Sequence, residues 1–75
     1  MAIRHRALTA FGLNVRKHRL RKGLTQETLA ASADLDPTYI SGIERGLRNP
    51  SVLSVIRIAT ALGSTVSALT KGIDG

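Results

Sequence analysis

Thr38, Ser41, Gly42 and Arg45 recur at helical spacing and offer two hydroxyls, a bare backbone and a guanidinium. At 100° per residue they fall within an arc of roughly 100°, opposite Ile40 and Ile43. A strip of this kind is suited to hydrogen bonding at the edge of a base pair. Its hydroxyls donate or accept, the threonine methyl can meet a thymine methyl, and arginine forks onto guanine or phosphate. A glycine inside a helix costs about 1 kcal/mol relative to alanine. Close approach of the backbone to DNA would explain Gly42, and so would ordinary tolerance of glycine. Tyr39 lies on the flank, where its ring can pack while its hydroxyl reaches a phosphate. Gln26 stands at the start of the preceding helix, where free amides and the positive dipole end favour an anion.

Other chemistries find little support. The chain has no cysteine, so disulfides and thiolate metal sites are excluded. His5 and His18 sit in different settings, the five acids do not pair at catalytic spacing, and no glycine-rich phosphate loop exists. We expect no enzyme, no metal, no cofactor and no small-molecule effector. Charge points elsewhere. Eleven Lys and Arg against five acids give +6 and a pI near 11.3. Met1 to Gln26 hold seven basic residues (Arg4, Arg6, Arg16, Lys17, Arg19, Arg21 and Lys22) and no acid. Such a patch is the footprint of a polyanion binder, unless it serves only as a solvated face. No run approaches the ~20 apolar residues of a membrane span. The absence of cysteine suits a reducing cytoplasm, the expected setting.

The elements that must hold the strip can be read from punctuation. Thr9 is expected to cap a first helix over Ala10 to Lys22, with Phe11, Val15 and His18 inward and Gly23 as the stop. Thr25 caps Gln26 to about Ala33, with Leu29, Ala30 and Ala33 inward. The link Asp34-Leu35-Asp36 follows. Asp36 caps a third helix from Pro37, well placed at the first helical position, to Arg45, with Gly46 beyond. Arg48-Asn49-Pro50 forms a loop. Ser51 then caps Val52 to Leu62, with Val55, Ile58, Ala59 and Leu62 inward, and Thr65 caps a short fifth helix, Val66 to Lys71. No useful segment alternates with period two, so the class is all-α. Residues 1–8 read as a basic arm able to track phosphate or a minor groove, or as a tail, and 9–75 as one domain.

Helices two and three have the proportions of a helix-turn-helix, about residues 25–46. The run GLTQETLAASADLDPTYISGIERGLRNPS, Gly23 to Ser51, resembles the lambda-repressor/Cro-like (XRE-type) DNA-binding family. The likeness continues through SVLSVIRIATALGS to about Leu69. It implies a compact five-helix domain acting as a homodimer on palindromic operator DNA to regulate transcription. By resemblance, Gln26 meets phosphate, Pro37, Thr38, Ser41 and Gly42 face bases, and Arg45 meets backbone. Thr25, Tyr39, Asn49 and Arg16 complete the expected phosphate set, and Arg48 joins the base-reading set. The resemblance also pairs Arg19 with Glu44, tying the reading helix to the first. Length and the LDPTYISGIERG run are similar to the controller proteins of restriction–modification systems.

Three positions depart from the family pattern. Asp34 stands where the turn usually has glycine, and aspartate tolerates a left-handed conformation. Pro37 brings no side-chain donor, so reading must lean on Thr38, Ser41, Arg45 or Arg48. His18 replaces a leucine or aromatic and is expected to be packed and satisfied. Leu53, Ile56, Val66, Leu69 and Ile73 are expected to form the two-fold patch of a dimer, although Val66 and Leu69 could instead close the core. A rival reading is an antitoxin-like or partner-binding module that represses only in complex with another protein. RNA binding finds no aromatic stacking platform.

Overall fold

Every helix starts where a polar side chain takes over an amide that the helix itself cannot satisfy. A computed structural model describes residues 5–73. It contains α1 (Arg6–Arg21), α2 (Gln26–Ala33), α3 (Pro37–Glu44), α4 (Val52–Ala61) and α5 (Val66–Leu69), with no strand among the described residues. Thr25 accepts from the Thr28 amide at 3.0 Å, Asp36 from Thr38 at 2.7 Å, Ser51 from Ser54 at 3.1 Å and Thr65 from Ala68 at 3.0 Å. These four caps stand where the punctuation put them.

The first cap does not. His5 Nδ1 accepts from the Ala7 amide at 3.1 Å, and α1 starts at Arg6 instead of Ala10. Arg6, Ala7 and Leu8 are strong helix formers with no breaker before Thr9, so the helix propagates back through them. Thr9 packs instead beside Gly46, where a Cβ would stand 2.9 Å from its hydroxyl. Residues 6–8 are thus helix and not arm and His5 is their cap, while residues 1–4 of the expected arm, including Arg4, lie outside the described residues. At the other ends, α3 closes at Glu44 with Arg45 as its cap, and α5 ends at Leu69.

The inward stripes converge on one core of Phe11, Val15, Leu29, Ala30, Ala33, Ile40, Ile43, Ile58, Ala59, Leu62 and Leu69. Helix α3 packs on both α1 and α2, α2 also packs on α4, and α5 closes the base against α1 and α4. The α1–α3 crossing is close because Gly12 has no side chain. A Cβ there would meet the Ile43 carbonyl oxygen and come within 2.8 Å of that of Glu44. Asn14 adds a polar tie that the sequence pattern did not single out. Its amide donates to the carbonyls of Leu69 at 2.8 Å and Lys71 at 3.1 Å, fastening the end of α5 to α1. The two carbonyls lie at and just beyond the end of a helix, where such groups need a partner from outside it.

His18 is half-buried as expected, but both ring nitrogens are buried without a hydrogen-bond partner among the described residues. Val55 is only half-buried. Among the caps, Asp36 starts α3, the helix that carries Thr38, Ser41 and Arg45. Asp36→Ala should cost about 1 kcal/mol, visible as a fall of several degrees in the melting midpoint of this small domain. An unchanged melt would show that the cap adds nothing.

Candidate nucleic-acid interface

The turn between α2 and α3 aims the second helix. Asp34 adopts φ 58° and ψ 47°, the left-handed conformation that aspartate tolerates, and ends α2. The Leu35 amide returns to the Ala30 carbonyl at 2.9 Å, and Asp36 then caps α3. Proline at the first position of α3 has no amide to leave unpaired, and its fixed φ already suits the helix. Three residues thus turn the chain between the end of α2 and the cap of α3.

On α3 the apolar side, Ile40 and Ile43, is fully buried, while Pro37, Thr38 and Arg45 are exposed and Ser41 is half-buried. Arg48 and Asn49 are also exposed, in the loop that follows α3, and so is Thr25 at the head of α2. Arg16 is exposed on α1, one turn before Arg19. Gly42 differs from expectation. It is buried, because the side chain of Arg48 lies over it, so its backbone does not open onto a groove.

Beneath this surface sits a buried polar network. Arg19 and Glu44 form a bidentate pair, Nε to Oε2 at 2.7 Å and Nη2 to Oε1 at 3.0 Å. The third donor, Nη1, reaches the Leu24 carbonyl at 2.8 Å. Arg19 keeps only 10% of its side-chain surface exposed and Glu44 only 2%. The hydrogen bonds that Arg19 donates to Glu44 raise its pKa above the ordinary value against the opposing effect of burial, so the guanidinium is charged at any working pH. The planar fork of arginine matches both carboxylate oxygens, and lysine would not replace it.

Gln26 joins the network. Its amide donates to Glu44 Oε1 at 3.1 Å. One amide hydrogen is therefore committed to orienting the side chain, and the second remains for a partner outside. Tyr39 is committed further than expected. Its hydroxyl donates to Ser54 Oγ at 3.4 Å, next to the cap of α4, while its ring packs on the core. Its aromatic face lies 5.9 Å from the guanidinium carbon of Arg48, within cation–π range.

The apolar set expected at a dimer divides. Leu53, Ile56 and Val66 are exposed, at 56%, 45% and 40%. Leu69 is fully buried and belongs to the core, so it leaves the patch, and Ile73 is half-buried against the core. The first residue of α4 adds an apolar group missed in the sequence: Val52 is 78% exposed beside Leu53. Its signal was an apolar residue at a helix start with no inward position to fill.

Comparison with known proteins places this geometry. A helix-turn-helix family model matches residues 15–69. Control protein C.MunI of a Mycoplasma species is 45% identical over 65 residues, which cover 85% of this chain and 88% of that protein. The crystal structure of the restriction–modification controller protein C.AhdI from Aeromonas hydrophila superposes with a TM-score of 0.81 at 45% identity, covering 83% of this chain and 94% of that one. The controller C.Esp1396I, solved as a tetramer in complex with its natural 35 base-pair operator, superposes with a TM-score of 0.80 at 38% identity, covering 91% and 90%. The capped α2–α3 turn, the buried Arg19–Glu44 anchor and these likenesses agree: the chain belongs to the XRE-type helix-turn-helix family, among relatives that include the restriction–modification controller proteins.

Proposed function

We propose that this protein is a transcriptional regulator that binds operator DNA as a homodimer, inserting the start of α3 into the major groove. The observation that carries this reading is the outer face of exposed Pro37, Thr38 and Arg45 with half-buried Ser41, on a helix locked from behind by the Arg19–Glu44–Gln26 network. A reading helix must hold its donors in place before contact, and a buried bidentate pair does so at little conformational cost. Thr38 and Ser41 supply hydrogen bonds to base edges. Gln26, Thr25, Arg45, Asn49 and Arg16 supply phosphate contacts, with Tyr39 supporting them from its flank. The net charge of +6 supports affinity but carries no sequence information.

Dimerisation rests on Leu53, Ile56 and Val66, joined by Val52, whose exposure is concentrated on α4 and the start of α5. A two-fold axis through such a patch would present two copies of α3 to half-sites about one helical turn apart. Regulation without catalysis, in the bacterial cytoplasm where the DNA lies, follows from this reading.

In vitro selection of duplexes followed by sequencing tests it. The expected product is a palindrome whose affinity falls steeply with salt as phosphate contacts release counterions. Thr38→Ala should relax preference at one position of each half-site, at roughly 1–3 kcal/mol. Arg45→Ala should weaken all duplexes alike and lower the salt slope by about one. Equal binding to selected and random duplexes would refute the proposal.

A further inference from the structure

Gly42 and Arg48 share one slot. A Cβ on Gly42 would stand 2.6 Å from Cγ of Arg48, 3.3 Å from its Nε and 3.5 Å from its Cδ. The stem of Arg48 therefore runs across the bare backbone of α3, which is why Gly42 is buried on an otherwise polar face. The turn that returns the chain is tied to the same residue, since the Leu47 amide donates to the Gly42 carbonyl at 2.8 Å. Gly46 makes this turn possible with φ 73°. At the far end of the stem, the Tyr39 ring lies 5.9 Å from the guanidinium carbon.

The nature of the close contact decides its consequence. Cγ is placed by the first side-chain torsion of Arg48, so swinging the tip would not relieve a clash with it. The whole side chain would have to leave for another rotamer. An arginine has many rotamers, and holding one before contact removes part of the ordering cost of binding. Pro37 offers no side-chain donor, so the guanidiniums of Arg45 and Arg48 are the forks available beside the face of Thr38 and Ser41.

We infer that Gly42 is a positioning residue for operator recognition: its missing side chain, with the Tyr39 ring, sets the direction in which Arg48 is presented, and Gly42 itself touches no base. This inference rests on the operator-binding reading above and adds the residue through which specificity is set. It also separates two roles for the same glycine. If Gly42 allowed DNA to approach the backbone, its replacement would harm binding whether or not Arg48 were present. If it makes room for Arg48, the harm should vanish once Arg48 is gone.

A double-mutant cycle measured by fluorescence anisotropy tests this. Wild type, Gly42→Ala, Arg48→Ala and the double variant are titrated against the selected operator duplex and a scrambled duplex. Gly42→Ala should weaken operator binding about tenfold, as Arg48→Ala does, while leaving the scrambled duplex nearly unaffected. In the Arg48→Ala background the same change should matter less than about twofold. Its melting midpoint should equal or exceed wild type, because alanine favours the helix. A similar loss in both backgrounds, or no loss in the presence of Arg48, overturns the inference. Wild type that does not distinguish the two duplexes refutes the operator reading instead. The slot is checked without DNA by the NMR resonance of the Arg48 Nε–H, which should shift in Gly42→Ala and in Tyr39→Leu. An unmoved resonance in both variants overturns it.

Discussion

Glu44→Ala should lower the unfolding free energy by about 3–5 kcal/mol, the largest loss expected from any single polar substitution here. The size comes from what is left behind. Arg19 stays buried, with only 10% of its side chain exposed, and keeps a single partner, the Leu24 carbonyl. Its charge cannot be shed, because a guanidinium remains protonated at any accessible pH. The attraction itself is not the main quantity. Replacing both partners by apolar groups of similar size, as in Arg19→Met with Glu44→Leu, should recover most of the loss. Urea denaturation of the two variants separates these contributions. If Glu44→Ala unfolds with the wild-type midpoint, the pair is not holding α3.

Recovery of stability should not bring recovery of binding. Gln26 takes its orientation from Glu44 Oε1 at 3.1 Å, and an apolar residue at that position offers no acceptor. The doubly substituted chain should therefore fold well and bind operator more weakly. On the proposed reading, the network fixes the Gln26 donor and the axis of α3 together.

Gly12→Ala should destabilise the fold by about 1–3 kcal/mol or more, against a propensity gain of about 1 kcal/mol in the opposite direction. The added methyl would meet the carbonyl oxygens of Ile43 and Glu44, which belong to the backbone of α3. Backbone cannot change rotamer, so α1 and α3 must separate, and the Arg19–Glu44 pair spans that same crossing. Gly42→Ala makes the contrasting case. Its added methyl meets a side chain that can leave, so stability is retained while recognition suffers. In thermal melts side by side, Gly12→Ala should fall below wild type and Gly42→Ala should stay at or above it. A Gly12→Ala protein as stable as wild type would show that the crossing has slack.

Much of this protein is local in origin, and local features are legible in a sequence. The caps at Thr25, Asp36, Ser51 and Thr65 are decided within three residues, as is the start of α3 at Pro37. The apolar periodicity through Leu29, Ala30, Ala33, Ile40 and Ile43 places the buried side of the helix-turn-helix, and so by exclusion its polar side. The Arg19–Glu44 pair came from family likeness, supported by the position of Glu44 beside the core face of its helix.

What the sequence did not decide depends on groups far apart along the chain. Thr9 looks like a cap, yet strong helix formers before it carry α1 back to Arg6, and Thr9 is taken up by its contact with Gly46. Leu69 looks like part of an outer patch, but α5 folds under α1 and α4 and buries it. Asn14 anchors α5 across 55 residues, a separation at which no periodic pattern speaks. Gly42 is the clearest instance. Its type announces that something comes close, but only the path of the loop after α3 shows that the visitor is Arg48. Periodicity tells which way a residue points; tertiary structure decides what it meets there.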